Sequence, residues 1–398
     1  MKLTLEQKEF LREHASDDVN KLLLSASRFP DLNIPFLVEQ ILSRRQIKDK
    51  LPSWFANDNL VFPAKITAEQ CSSEVTAMYK QRLVGADDIL CDLTGGLGID
   101  SFFFSRKVKS VIYMERYAEY CDAARDNFIF LGAENITVIN EDSAQSVADL
   151  PEVDVFYIDP ARRGDGNKRV YALNDCEPDL TVLLPYLYKK SPRVIAKISP
   201  MADIRQTMDL LPSVSEIHVI SVKNECKELL FVLEREAVNR SSVPVVCVNY
   251  NSSGKEDLFS FTMESEAISD VKYSDNVLGY LYEPNSSIMK AGAFKSVAFH
   301  YGLDKLHSNS HLYTSLDMVS DFPGRIFKVE EVLPFSSKLC KTIGKSVPKA
   351  NIAVRNFPLS VDELRKKCKI KDGGDIYIFA TTLFNGEKVF IRCNRVFS

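Results

Sequence analysis

Four acidic residues, each at or shortly after the end of a short apolar run, are the first candidates for chemistry in this 398-residue chain. Asp92 follows Ile89-Leu-Cys, Glu115 follows Val111-Ile-Tyr-Met, Asp142 follows Val138-Ile-Asn-Glu, and Asp159 follows Val155-Phe-Tyr-Ile. A carboxylate in such a place can pair with an ammonium, accept two neighbouring hydroxyls, accept an exocyclic amine, or hold a nitrogen about to react. Taken singly, each acid reads equally well as a helix cap or a solvated turn. Their recurrence is the signal, because open α/β sheets bind ligands at the carboxyl ends of their strands.

A glycine-rich turn, Thr94-Gly-Gly-Leu-Gly98, lies between the first two acids. Its glycines allow a tight backbone turn and close approach of a ligand. Asp92, Thr94, Gly95, Gly96, Gly98, Glu115, Arg116, Asp142 and Ser143 are therefore the candidate cofactor contacts. The loop does not name its ligand. Gly96-x-Gly98 followed by Ser101 also suits a dinucleotide pyrophosphate, and an acid placed like Glu115 serves a nicotinamide ribose too.

The fourth run is more discriminating. Asp159-Pro-Ala-Arg-Arg163 follows an apolar strand, and a polar side chain beside the backbone carbonyls of Pro160 and Ala161 can hold an amine or ring nitrogen in line for attack. Asp159, Pro160 and Ala161 are the candidate catalytic residues. Arg162 and Arg163 can contact a phosphate or stack on a base, or can be surface cations. Lys197, closing the next apolar run, is the third candidate substrate contact, with a snorkelling lysine as the alternative. Gln70, Ser73 and Glu74 precede the first run where a segment could fold over a cofactor. Cys176 and Cys226 are the thiols to consider for covalent catalysis. His300, His307 and His311 read as solvated, and no metal site is expected.

The elements that would position these residues follow from hydrophobic pattern and turn signals. Asp88–Leu93, Ser110–Met114, Ile136–Ile139, Val153–Ile158 and Arg193–Lys197 alternate with helical stretches, which predicts a parallel sheet of βα units. Glu216–Val222 and Glu228–Glu234, joined by the polar turn 223–227, predict an antiparallel hairpin at the sheet edge. Residues before about 55 read as helical. Thr4 to Gln7 resembles a capping box, the second long helix opens at Ile34-Pro35 and is expected to end at Pro52, and the Trp54-Phe55 pair is expected to anchor this segment against the next domain. Beyond 237, strands are predicted at Val243–Tyr250 and Leu258–Met263 and one helix near Ile288–Phe299. From Arg325 the pattern is strand, helix, strand, helix, strand, strand.

The domains expected are a helical segment (1–59), an α/β Rossmann-like domain (60–236), a small α+β linker (237–324) and a basic α+β domain (325–398). Nine cysteines without a Cys-x-x-Cys pair argue against a disulfide framework or zinc ribbon. No apolar run approaches the roughly 18 residues of a membrane span. The first residues lack the apolar core of a secretory signal, so a cytoplasmic location is expected. Residues 325–398 hold 15 Lys/Arg against 7 Asp/Glu, a net +8, in a chain whose total is −4. Such asymmetry suits a polyanionic partner such as RNA or a solvated surface.

The fourth motif resembles the Asp-Pro-Pro-x or Asn-Pro-Pro-Tyr motif of nucleic-acid methyltransferases, departing from it at Ala161 and Arg162. With Glu69-Gln-Cys-Ser-Ser-Glu74 and Asp92-Leu-Thr-Gly-Gly-Leu-Gly-Ile-Asp100, residues 60–235 resemble a class I S-adenosylmethionine-dependent methyltransferase of the RNA-modifying type. The whole resembles a bacterial family in which such a domain precedes a ferredoxin-like piece and a THUMP-like C-terminal domain. The resemblance implies S-adenosyl-L-methionine as cofactor, rRNA or tRNA as partner, and methylation of a base nitrogen by direct in-line transfer. A non-catalytic RNA-binding protein, a nicotinamide-dependent oxidoreductase and a methyltransferase of another substrate are the alternatives.

Overall fold

The computed structural model describes residues 2–162, 176–236 and 239–396. These fold as two compact units. The first contains residues up to Ser215 with 230–236, and the second contains 216–229 with 239–396.

The first unit opens with helices α1 (Leu5–Glu13), α2 (Val19–Leu24) and α3 (Ile34–Ile47). Thr4 and Gln7 form the expected capping box. Asn33 caps α3, and Pro35 lies in its first turn, where no backbone N–H is required. Pro52 does not end α3. It opens a separate short helix, α4 (Pro52–Phe55), for the same reason. Trp54 is fully buried, edge-on to Phe102 at 5.7 Å, whereas Phe55 is 36% exposed, so only the tryptophan anchors.

Helices α5 (Lys65–Gln70) and α6 (Glu74–Lys80) lead into the sheet. Its parallel strands are β1 (Ile89–Asp92), β2 (Ser110–Met114), β3 (Ile136–Ile139), β4 (Val155–Ile158) and β7 (Arg193–Ile198). The order β3-β2-β1-β4-β7 reverses direction of growth at β1 and β4, the place where such folds bind ligands. Helices α7 (Ile99–Ser105), α8 (Ala118–Phe130), α9 (Leu180–Leu187) and α10 (Ile204–Leu210) follow strands β1, β2, β4 and β7. All four residues of β4 are buried, as expected of a central strand covered on both faces. Two-residue strands β5 (Ala161–Arg162) and β6 (Cys176–Glu177) pair antiparallel beyond β4.

Strands β8 (Val214–Val222) and β9 (Glu225–Glu234) form the predicted hairpin. Its turn is shorter than the five residues expected. Lys223 and Asn224, at φ 52° and 62°, make a two-residue turn, so Cys226 lies within β9. Nor is β8 an edge. In the second unit β10 (Pro244–Tyr250) runs parallel to it, with Val245 opposite Ile217, and β11 (Glu256–Thr262) pairs antiparallel with β10. β10 buries Val245, Cys247, Val248 and Asn249, although the sequence reading assigned it to a separate piece.

Helix α11 (Met263–Ile268) then leads to a seven-stranded sheet in the same unit. It comprises β12 (Tyr280–Pro284), β13 (Asp304–Lys305), β14 (Tyr313–Ser315), β15 (Gly324–Pro334), β16 (Asn351–Arg355), β17 (Ile376–Thr382) and β18 (Lys388–Val396), ordered β13-β14-β12-β15-β18-β17-β16. The single helix expected near 288–299 is two, α12 (Ser286–Ala291) and α13 (Phe294–Tyr301), separated by Gly292 at φ 78°. Helices α14 (Ser337–Ser346) and α15 (Val361–Cys368) complete the C-terminal pattern in the predicted order. Gly344 of α14 lies where an added Cβ would come within 2.1 Å of the Cys368 carbonyl, so the two helices meet backbone to backbone there.

Candidate active site

The glycine loop leaves β1 at Asp92 and turns into α7. Gly96 and Gly98 adopt left-handed φ values of 54° and 83°, which side chains disfavour. Gly95 is required for space: a Cβ there would lie 2.3 Å from the Tyr113 ring. Tyr113 in turn donates its hydroxyl to the Gly96 carbonyl at 2.6 Å, so β2 clamps the loop from beneath.

Glu115, at the end of β2, is buried and holds two backbone donors. Its Oε2 accepts from the Gly96 N–H and its Oε1 from the Tyr117 N–H, both at 2.9 Å. A carboxylate has about four lone-pair sites, so two acceptor positions remain for a ligand hydroxyl pair. Ser143 is buried and donates to the Leu93 carbonyl at 2.7 Å. Asp142 is half-buried and takes the Ala144 N–H at 2.9 Å, the local turn geometry that the sequence left open for it. Arg116 pairs with Glu177 at 2.9 Å, its guanidinium over the Tyr117 ring.

Asp92 is 1% exposed and accepts from the Thr94 N–H at 3.0 Å and the Ser101 hydroxyl at 2.6 Å. Among the described residues no cation pairs with it. Burial pushes its carboxyl up to about 7, against the pull of those two hydrogen bonds. It is a buried acid lacking a counter-charge, which is the condition that favours an ammonium ligand.

At the end of β4 the Asp159 N–H donates to the Thr94 hydroxyl at 2.7 Å, tying the fourth motif to the glycine loop. Its carboxylate Oδ2 pairs with Lys197 Nζ, from the end of β7, at 2.5 Å. Adjacent strands thus bring two independently predicted residues together. Behind them lies a network that sequence reasoning missed. Lys197 Nζ also reaches the Ser72 hydroxyl at 3.3 Å. Ser72 donates to Asp100 Oδ2 at 2.7 Å and accepts from Lys80 at 2.9 Å. Lys80 bonds Asp100 Oδ1 at 2.9 Å, and the Tyr157 hydroxyl donates to Asp100 Oδ2 at 2.7 Å. Burial alone would raise the Asp100 carboxyl, but Lys80 and Lys197 overcome it and hold it down at about 2. Ser72 and Asp100 stood inside the two sequence motifs without a role. Lys80 and Tyr157 carried no signal, since a lysine in an amphipathic helix and an aromatic in a strand are ordinary.

The other described candidates take no part in this side-chain hydrogen-bond network. Ser73 caps α6, and Glu74 accepts from the backbone and hydroxyl of Ser53 at 3.0 and 2.9 Å, so both serve helix packing. Gln70 ends α5. Ala161 and Arg162 lie in β5 through backbone pairing with Glu177 and Cys176. Arg163 lies outside the described residues. Burial pushes the Cys226 thiol up to about 11, far from a ready nucleophile. His307 accepts the Asn309 N–H at 3.0 Å, and His311 stacks on Phe294 at 3.6 Å with burial lowering it to about 4. His311 is therefore packed rather than solvated. Among the described residues no group of His, Cys, Asp and Glu could hold a metal, and no helix is long and apolar enough to cross a membrane.

Comparison with known proteins places this geometry. A ferredoxin-like domain family matches residues 280–323, and a THUMP-like domain family matches 324–395. The chain is 37% identical to a "putative methyltransferase" from Porphyromonas gingivalis W83, whose crystal structure superposes with a TM-score of 0.89 over 99% of this chain and 98% of that one. A precorrin-6y C5,15-methyltransferase from Geobacter metallireducens GS-15 (15% identity, 42% of this chain, 89% of that one, TM-score 0.31) and an rRNA methylase from Streptococcus thermophilus (14%, 40%, 94%, 0.31) are far more distant and support no argument. No curated protein matches. The fold is that of a methyltransferase with ferredoxin-like and THUMP-like segments, and the chain belongs to the same family as the Porphyromonas gingivalis protein.

Proposed function

We propose that the protein is an S-adenosylmethionine-dependent methyltransferase that modifies a base nitrogen of rRNA or tRNA. The observation that supports this most is the Asp159–Thr94 hydrogen bond, which sets an acceptor-holding motif directly against the glycine loop. The residues present fit the cofactor. Asp92 is a buried acid with no cationic partner among the described residues, suited to the methionine ammonium, and Glu115 retains acceptor positions for the ribose hydroxyls. When bound, that cofactor supplies an electrophilic methyl group. Asp159 with the Pro160 and Ala161 carbonyls would orient the nitrogen, so that the chain's contribution is mainly positioning.

Residues 60–236 would carry the donor and acceptor sites. The basic segment 325–398 would bind the RNA backbone, as its 15 Lys/Arg against 7 Asp/Glu suit. Two measurements test the reading. Thermal-shift titration should show stabilisation by S-adenosylhomocysteine and none by NAD. Nucleoside mass spectra of tRNA and rRNA from cells with and without the gene should differ by one methylated nucleoside. Stabilisation by NAD instead, or identical spectra, would sink it.

A further inference from the structure

We infer that the Lys197–Asp159 pair selects a lactam edge, an N–H beside a carbonyl, so that the methylated atom is N1 of guanine or N3 of uracil. This rests on the functional reading above and narrows it. Lys197 and Asp159 present a donor and an acceptor side by side, 2.5 Å apart. Asp159 Oδ1 takes no hydrogen bond among the described residues, and the side chain is 36% exposed, so it can receive an N–H. The adjacent ammonium can donate to the carbonyl oxygen.

Hydrogen bonding alone does not separate this edge from the amine-and-ring-nitrogen edge of adenine or cytosine. Charge does. An exocyclic amine gains positive charge as it is methylated and would gain it beside the Lys197 ammonium. A lactam nitrogen gives up its proton, and the negative charge that develops lies partly on the neighbouring oxygen, where the ammonium stabilises it. In the balanced step, the N–H bond breaks with its proton passing to Asp159 Oδ1. The nitrogen takes the methyl with the freed electron pair, and the carbon–sulfur pair is left on sulfur.

Lys197 is held for this task. Ser72 bonds it at 3.3 Å, and Ser72 is itself fixed by Lys80 and Asp100, both withdrawn from water. Such support keeps the ammonium in place before the substrate arrives, which is what makes a charged donor effective in the reacting state.

The test uses the full-length protein, radiolabelled S-adenosylmethionine and total RNA from cells lacking the gene, with the labelled nucleoside identified after digestion. Label in 1-methylguanosine or 3-methyluridine supports the inference. Label on an exocyclic amine, on another ring atom or on the 2′-oxygen overturns it and leaves the methyltransferase reading intact. No label in any RNA overturns both. Alongside, Lys197→Met should slow transfer about a hundredfold to a thousandfold, recover rate as pH rises toward lactam ionisation, and leave S-adenosylhomocysteine affinity unchanged. Lys197→Arg should retain most of the rate. A uniform loss at all pH values, or loss of cofactor affinity in Lys197→Met, would assign the lysine a structural role and overturn its part in the chemistry.

Discussion

Lys80 and Asp100 form an ion pair of 2.9 Å in which the lysine side chain is 1% exposed and the aspartate 10%. Removing one partner of such a pair strands the other charge in a low-dielectric interior. Lys80→Met should therefore lower unfolding free energy by about 3–5 kcal/mol, read from urea denaturation. Lys80→Met with Asp100→Asn should recover much of that loss. Additive losses in the double variant would show that the two charges are not coupled.

The same pair gives a pH signature. The Asp100 carboxyl is held at about 2, below its ordinary value, so its ionised form stabilises the fold. That contribution is complete above the ordinary carboxylate range and disappears as pH falls toward about 2. Asp100→Asn should lose this acid-limb dependence, measurable by denaturation at a series of pH values.

Asp92 behaves in the opposite sense. Its folded carboxyl is raised to about 7, so burial is without cost while it is protonated and destabilises increasingly as pH climbs from 3.8 through about 7. Asp92→Asn should be more stable than the parent by roughly 4 kcal/mol at pH 8, with the gap closing toward pH 4. In the parent, S-adenosylhomocysteine should bind more tightly as pH rises through about 7 and release a proton near neutrality. Calorimetry in buffers of different ionisation enthalpy measures that release, and its absence would break the link between Asp92 and the ligand ammonium.

Glu115→Gln tests the second ligand contact. Both oxygens of Glu115 accept backbone N–H groups, and glutamine offers one oxygen for the two. The substitution should weaken S-adenosylhomocysteine binding about 10- to 100-fold, with a smaller loss of thermal stability. An unchanged affinity by titration calorimetry would remove Glu115 from the site.

Gly95→Ala should be more damaging than an alanine usually is, because its Cβ would sit 2.3 Å from the Tyr113 ring that clamps the loop. A loss of about 1–3 kcal/mol from overpacking is expected, together with loss of cofactor binding. Normal binding by Gly95→Ala would show that the loop can move off β2.

Most of the parallel sheet was legible because its strands are short apolar runs bounded by polar residues, with an acid directly at the carboxyl end of β1, β2 and β4. Strands β2 and β3 match the sequence limits residue for residue. The places where sequence reading failed share a cause. Pro52 looks the same ending a helix as opening one, and β10 looks the same in a separate piece as beside β8. Strands β12, β13 and β14 went unseen within a mixed stretch because Tyr280-Leu-Tyr-Glu-Pro284 carries a glutamate and a proline in place of a continuous apolar run, and the other two are only two and three residues long. In the site, Asp92, Glu115 and Asp159 announced themselves by position at strand ends. Lys80 and Tyr157 did not, because their role comes from contacts with residues 20 and 57 positions away.

The seam between the ferredoxin-like and THUMP-like segments has a consequence for inheritance. Strands β12 and β15 pair across it, Gly324 lies where a Cβ would come within 2.2 Å of the Glu283 carbonyl, and Glu283 joins Arg325 and Arg355 from the far side of the junction. A crossover between genes at codon 323 would bring together strand edges and charges selected in different partners. The two segments should therefore travel between lineages as one cassette, and chimaeras joined there should fold only when donor and recipient share the glutamate, the glycine and both arginines.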